Sequence, residues 1–250
     1  MRLVRYQPLG RCMYCLAAGG AGVELSEEHL IPRALGGRLT LPDAVCEPCR
    51  RLTGRLEQAT LEREFLVPKT LLALKRRRAR GKGPSRLPNV ALAGEHAPSI
   101  LTADTFPRRF SLPVFAPAGR APDTSRATDF VDCHMNLGSP SRQTAQAMTP
   151  HRDPFALAYS IAKWAYALAV AECGLDGWEA APVRDLMLGR RNDVLAFVGN
   201  PSPPAVASRE WLHDFAVRED AGRVTVTLAP FASAGMTPYE VMLAGAATGA

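Results

Sequence analysis

Cys12-Met-Tyr-Cys15 and Cys46-Glu-Pro-Cys49 are two Cys-x-x-Cys pairs that lie within the first fifth of the chain. Two such pairs are typical of a four-thiolate zinc site, because each pair forms a tight knuckle that directs two sulfurs to one point. Four thiolates complete a tetrahedral shell with no open position, so a zinc ion held here is structural. Two disulfides or a dithiol redox site are the rival interpretations. Nothing in the sequence indicates secretion and no βαβ pattern surrounds the cysteines, so zinc is the prediction.

Two further motifs lie between the cysteine pairs, Glu28-His-Leu-Ile-Pro32 and Gly36-Gly37. In this order the four motifs resemble the HNH endonuclease superfamily, the ββα-metal fold, in its four-cysteine form. The resemblance covers about the first fifth of the chain. It implies a small zinc-stapled module that hydrolyses phosphodiester bonds in DNA.

The resemblance also implies roles for single residues. His29 would be the general base that takes a proton from water, and Glu28 would bind a catalytic Mg²⁺ or Mn²⁺. Asp43 would orient the imidazole from a position where the family usually has Asn. Arg50 stands where the family usually has a metal-binding Asn or His, and we expect it to contact nucleic acid instead.

Local patterns predict the elements of this module. A first strand is expected within Val23–Pro32, since Pro32 cannot continue a ladder of hydrogen bonds. Leu39, Leu41 and Val45 are expected in a second strand. Apolar residues then recur at near-helical spacing, which predicts a helix over about residues 50–66.

The whole chain has 250 residues and 47% hydrophobic residues, which is enough for one large domain or two modest ones. The fold class expected is α+β. We divide the chain into an HNH-like ββα zinc module (1–67), a basic segment and hinge (68–88), and a larger α+β region of unknown role (89–250).

The larger region has one dominant feature, an apolar, Ala-rich stretch over about residues 154–173. Its length approaches a membrane span, but Lys163 near its middle would be costly in lipid, so a buried helix is the prediction. A strand is expected at Val194–Val198. Three more, at Trp211–Val217, Val224–Leu228 and Tyr239–Leu243, are expected to form an antiparallel meander.

The net charge of +6 comes from one local block between Lys69 and Arg86, which contains eight basic residues and no acidic residue. Removing those eight charges leaves the remainder of the chain at −2. Such a block is often a solvated linker, but directly after an HNH-like module we expect it to bind DNA phosphates. The residues expected to make these contacts are Lys75, Arg76, Arg77, Arg78 and Arg80.

Further expectations concern the setting of the protein. No signal peptide is visible at the start of the chain, so we expect a reduced, cytoplasmic protein without a small-molecule cofactor or a membrane partner. Cys133 and Cys173 are expected to be small buried residues. The oligomeric state does not follow from the sequence.

Two functions from different classes follow. The first is a metal-dependent HNH-type endonuclease that cleaves DNA. The alternative is a catalytically reduced zinc module that binds nucleic acid without cutting it. Arg50 bears on this choice, because a guanidinium cannot ligate a cation and repels one placed nearby.

Overall fold

The computed structural model describes residues 4–20, 22–72, 91–92, 109–119, 129–134, 145–146, 153–202, 207–208 and 210–244. The strands are β1 (Val4–Arg5), β2 (Leu25–His29), β3 (Leu39–Cys46), β4 (Ala91–Leu92), β5 (Arg109–Val114), β6 (Asp129–His134), β7 (Ala145–Gln146), β8 (Val198–Gly199), β9 (Asp214–Asp220), β10 (Arg223–Ala229) and β11 (Tyr239–Met242). The helices are α1 (Glu47–Arg63), α2 (Leu66–Leu71), α3 (Pro154–Cys173), α4 (Ala181–Met187) and α5 (Val194–Phe197). The fold is α+β, as predicted.

The N-terminal module consists of β2, β3 and α1, in the predicted ββα order. β1 adds a parallel edge, so the sheet order is β1-β3-β2. Helix α1 begins three residues earlier than residue 50, because Pro48 occupies its first turn, where the missing N–H of proline costs nothing. Cys46 therefore ends β3 and Cys49 lies in the first turn of α1.

Helix α3 spans Pro154–Cys173, as predicted, and is buried on nearly all sides. The carboxylate of Asp153 accepts a hydrogen bond of 3.0 Å from the N–H of Ala156 and so caps the helix start. Gly174, with a φ of 78°, ends the helix. By length and composition α3 could cross a membrane, but 78% of its most apolar window is buried inside the protein. The prediction of a buried helix is confirmed.

The second large sheet has the order β8-β11-β10-β9 and is antiparallel. The predicted meander is confirmed as β9, β10 and β11. The β9–β10 turn contains Ala221 (φ 48°) and Gly222 (φ 78°), the two left-handed residues of a tight hairpin. The strand predicted at Val194–Val198 is wrong. Residues 194–197 form a helical turn, and only 198–199 pair as a strand, so a short apolar run did not distinguish the two structures.

A continuous hydrophobic core joins the module to the region around α3. Tyr14 contacts Tyr166 at 5.8 Å between ring centroids, and Phe65 contacts Trp164 at the same distance. Phe65 also contacts Phe231 at 5.7 Å. The domain boundary at residue 67 stays a prediction, but the module and α3 share one interior.

Several predicted residues lie outside the part of the chain that the structure describes. They are Lys75, Arg76, Arg77, Arg78 and Arg80. The basic block therefore stays a prediction from the sequence.

Candidate functional site

The four predicted zinc ligands converge. The Sγ atoms of Cys12, Cys15, Cys46 and Cys49 all lie within 4.8 Å of one another, and those of Cys15 and Cys46 are 3.6 Å apart. Sulfurs about 2.3 Å from a shared tetrahedral zinc are about 3.8 Å apart, so the cluster fits one ion. Elsewhere among the described residues, no three His, Cys, Asp or Glu side chains approach closely enough to share a metal.

The first cysteine knuckle is built by the backbone. The N–H of Leu16 donates to the carbonyl of Cys12 at 2.8 Å, and Leu16 itself has a positive φ of 65°. Burial raises the pKa of the Cys12 thiol, but backbone N–H groups of Cys15, Cys46 and Tyr14 outweigh burial and lower the pKa overall. At Cys46 and Cys49 burial dominates and raises the pKa of the thiol. The thiolate is the form that binds a metal, so the backbone around Cys12 favours metal binding at that residue.

His29 ends β2, and its side chain is half-buried. It pairs across the sheet with Thr40 of β3, which pairs in turn with Arg5 of β1. Directly paired residues place their side chains on one face, and Glu27, two residues before His29, shares that face. We call these four residues, Arg5, Glu27, His29 and Thr40, the His29 face. Its two charged members form an ion pair of 3.4 Å between Arg5 Nη2 and Glu27 Oε2, which bridges the outer strands across β3.

Glu28 lies on the opposite face of β2 from His29. Its side chain is only 7% exposed, and its Oε1 lies 3.0 Å from Nζ of Lys163 in α3. The hydroxyl of Tyr14 donates to the same oxygen at 3.3 Å. A cation shared by Glu28 and His29 does not fit this arrangement, because the carboxylate is already paired on the buried side of the sheet.

Lys163 joins two carboxylates. Besides Glu28, it contacts Oε1 of Glu57 in α1 at 2.8 Å, and the indole N–H of Trp164 donates to that oxygen at 2.8 Å. Burial disfavours the charge on Lys163, but Glu28 and Glu57 outweigh it and raise the pKa of the amine. Burial also raises the pKa of Glu28, and Lys163 opposes that shift. Lys163 thus connects β2, α1 and α3 through one buried ammonium.

Asp43, the residue expected to orient His29, is exposed and lies in a bulge of β3. Three residues of β3, Pro42 to Ala44, lie opposite the single residue Glu27, and Asp43 has a positive φ of 48°. Asp tolerates this conformation better than most residues, which gives Asp43 a backbone role.

Arg50 lies in the first turn of α1 and is exposed. Its Nε donates to Oε2 of Glu47 at 2.8 Å, while Arg51 donates to the other oxygen of Glu47 at 2.6 Å. The hydrogen bonds from Arg51 and Arg50 lower the pKa of Glu47. Arg50 is therefore accessible at the helix start, and its binding to nucleic acid stays a prediction.

The comparisons with known proteins agree with the geometry of the module. Residues 12–66 match the family model described as HNH endonuclease. No curated protein and no solved structure matches the chain. The matched segment contains β2, β3, α1 and the cysteine cluster, and it covers about a fifth of the chain.

Sequence reasoning missed Glu27, Thr40, Arg5 and Lys163. The alternation of strand side chains was a usable signal for Glu27, which lies two residues from His29. The positions of Thr40 and Arg5 beside His29 follow from the strand register. Lys163 contacts the module from more than a hundred residues away in the chain. No local pattern predicts those contacts.

Proposed function

We propose that this protein is an HNH-type endonuclease that cleaves DNA in the cytoplasm, with His29 as the general base. The observation that supports this most directly is the position of His29. It ends β2 of a module that matches the HNH endonuclease model, and it lies half-buried on a polar face instead of in the core.

The His29 face offers three of the groups that phosphodiester hydrolysis requires. The imidazole accepts a proton from the attacking water. The guanidinium of Arg5, whose side chain is 63% exposed, can bind a phosphate oxygen. Glu27 is the carboxylate on the same face as His29, and its ion pair with Arg5 holds the guanidinium in place. Mg²⁺ or Mn²⁺ would polarise the phosphate. Glu28, the ligand expected for that ion, is instead paired with Lys163 on the buried side of the sheet.

A plasmid cleavage assay with and without Mg²⁺ or Mn²⁺ tests the proposal. His29→Ala should reduce cleavage by at least a hundredfold, because a positioned general base contributes about 10² to 10⁴ in rate. Comparing the matched variants Glu27→Gln and Glu28→Gln shows which face of β2 takes part in cleavage. We expect Glu27→Gln to lower cleavage with little change in stability, and Glu28→Gln to act mainly on stability. Wild-type protein that cuts neither DNA nor RNA with any divalent ion would overturn the proposal.

A second function, DNA binding without cleavage, is favoured by one observation: Lys163 already neutralises the carboxylate that was expected to bind the catalytic cation. In that case the basic block would provide affinity. Changing Lys75, Arg76, Arg77, Arg78 and Arg80 to Ala should then reduce the salt dependence of duplex binding by about 0.9 for each phosphate that the variant no longer neutralises. Salt-dependent binding with no cleavage under any ion would support the second function over the first.

A further inference from the structure

Thr40 presents a buried hydroxyl that lacks a partner. The residue is 0% exposed, and its Oγ1 is the one buried side-chain oxygen or nitrogen of the described residues that has no hydrogen-bond partner. Leaving such a group unpaired destabilises the folded state. Buried unpaired groups are uncommon in native proteins, and each calls for a reason.

The strand register places this hydroxyl beside His29. The N–H of Leu30 donates to the carbonyl of Leu39, so those two residues form a hydrogen-bonded pair. His29 and Thr40, the adjacent pair, are therefore of the non-hydrogen-bonded type, in which side chains approach most closely. The carbonyl of Thr40 accordingly turns to the other side and accepts from Tyr6 of the β1 segment at 3.0 Å. Cβ atoms in such pairs are about 5 Å apart, within reach of a hydroxyl–imidazole hydrogen bond.

The imidazole of His29 likewise makes no hydrogen bond to another described side chain. Asp43, which was expected to orient it, lies in the bulge of β3 opposite Glu27 and is not paired with His29. Asp43 is also exposed, whereas Thr40 is fully buried on the face that carries the Arg5–Glu27 ion pair. Of these two candidates, only Thr40 stands directly opposite His29.

We infer that Thr40 is the positioning residue of His29. A rotation of the imidazole about its side-chain bonds would bring Nδ1–H to the unpaired Oγ1, and the hydrogen bond formed in this way leaves Nε2 unprotonated and directed outward. Nε2 is then the atom that takes the proton from water in the proposed reaction. The inference rests on the proposed function for its purpose, but the hydrogen bond itself can be tested without any cleavage.

The test is ¹⁵N NMR of the histidine side chains in the full chain, compared among wild type, Thr40→Val and Thr40→Ser. The His29 signals are identified by their disappearance in His29→Ala. Thr40→Val has the same shape without the hydroxyl, so we expect the Nδ1–H tautomer of His29 to lose population. Thr40→Ser keeps the hydroxyl and should resemble wild type. Thr40→Ala is a second variant without the hydroxyl in case valine perturbs the fold.

The cleavage assay adds an independent readout. Thr40→Val should lower the turnover number by about ten- to a hundredfold with little effect on KM, while thermal stability changes little because valine keeps the shape of the side chain. An unchanged His29 tautomer in both hydroxyl-free variants would overturn the inference. A wild type that never cleaves would overturn the proposed function alone, because the NMR comparison still decides whether Thr40 holds His29.

Discussion

Glu28 and His29 are neighbours in the chain, but their side chains have different environments. His29 is half-buried on a polar face, whereas Glu28 is buried and paired with Lys163. Alternation along a strand separates adjacent side chains, and the bulge beside them lies in β3 and leaves β2 regular. Glu28 and His29 were predicted to act together in catalysis. In the structure His29 lies on the polar face of the sheet, and Glu28 lies on the buried face.

Arg50→Asn tests the position at which the chain departs from the family pattern. We expect Mg²⁺-dependent cleavage to rise by roughly tenfold, which corresponds to about 1.4 kcal/mol. The variant removes a positive charge from the position at which the resemblance to the HNH family places a metal ligand, and so it reduces repulsion of Mg²⁺. Arg51→Asn is the matched control, since Arg51 also donates to Glu47 and carries the same charge. Plasmid cleavage over a range of Mg²⁺ concentrations is the measurement. Lower cleavage and weaker DNA binding in Arg50→Asn would instead mean that Arg50 binds the phosphate.

Lys163→Met should destabilise the protein by about 3–5 kcal/mol, because it leaves the buried Glu28 and the half-buried Glu57 without their cation. Burial already raises the pKa of Glu28, and without Lys163 the folded-state pKa of this carboxyl lies further above its unfolded value. The variant should therefore become still less stable as pH rises from about 5 to 8. Urea unfolding at both pH values measures this, and Lys163→Met with Glu28→Gln and Glu57→Gln should recover much of the stability. A change below 1 kcal/mol would show that the ammonium is dispensable.

Among the elements, the junction of β3 and α1 brings the second cysteine pair to the first. Strand β3 ends at Cys46, the residue that precedes α1, and Cys49 follows in the first helical turn. The strand end and the helix start together form the second knuckle. On the other side of α1, Thr60 donates to the carbonyl of Ala156 at 2.9 Å, so the helix connects the cysteine cluster to α3.

Cys46→Ser should release the bound zinc, one ion per chain, and disorder residues 12–66. A small module without its metal retains little core of its own, and zinc binding contributes directly to folding. Elemental analysis and NMR amide dispersion measure both effects. Cys173→Ser is the control, because Cys173, which was expected to be buried, is a half-buried cysteine outside the cluster and its variant should keep the zinc. Reduced wild-type protein without zinc would contradict the prediction.

Across the whole molecule, His213 connects the module to the C-terminal sheet. Its Nε2–H donates to the carbonyl of Leu35 at 2.9 Å, and its Nδ1 accepts from the N–H of Phe231 at 3.1 Å. Both nitrogens are used by the neutral ring, so a second proton has no acceptor. Burial lowers the pKa of His213 to about 4.

This depressed pKa predicts a pH dependence of stability. In the unfolded chain His213 is protonated below pH about 6.5, whereas in the folded protein it stays neutral down to about pH 4. The free energy of unfolding therefore decreases as the pH drops through this window. We expect a decrease of about 2 kcal/mol between pH 7 and pH 5 that His213→Gln removes. Urea unfolding of both proteins at the two pH values is the measurement. An equal pH dependence in both would show that His213 does not titrate in this window.

Local patterns in the sequence determined the cysteine cluster, the ββα order and helix α3. Each depends on short-range spacing: two knuckles, an apolar period, and caps at Asp153 and Gly174. The start of α1 lies before residue 50 because proline is favoured in a first helical turn, and the helix ends at Arg63 instead of residue 66.

The tertiary structure alone decided which groups surround His29 and Glu28. Thr40 reaches His29 through the strand register, and Lys163 reaches Glu28 from α3, far along the chain. Strand pairing and the burial of charge depend on contacts between distant segments. The sequence therefore identified His29 and Glu28 as candidates, and folding assigned His29 to the polar face and Glu28 to the core.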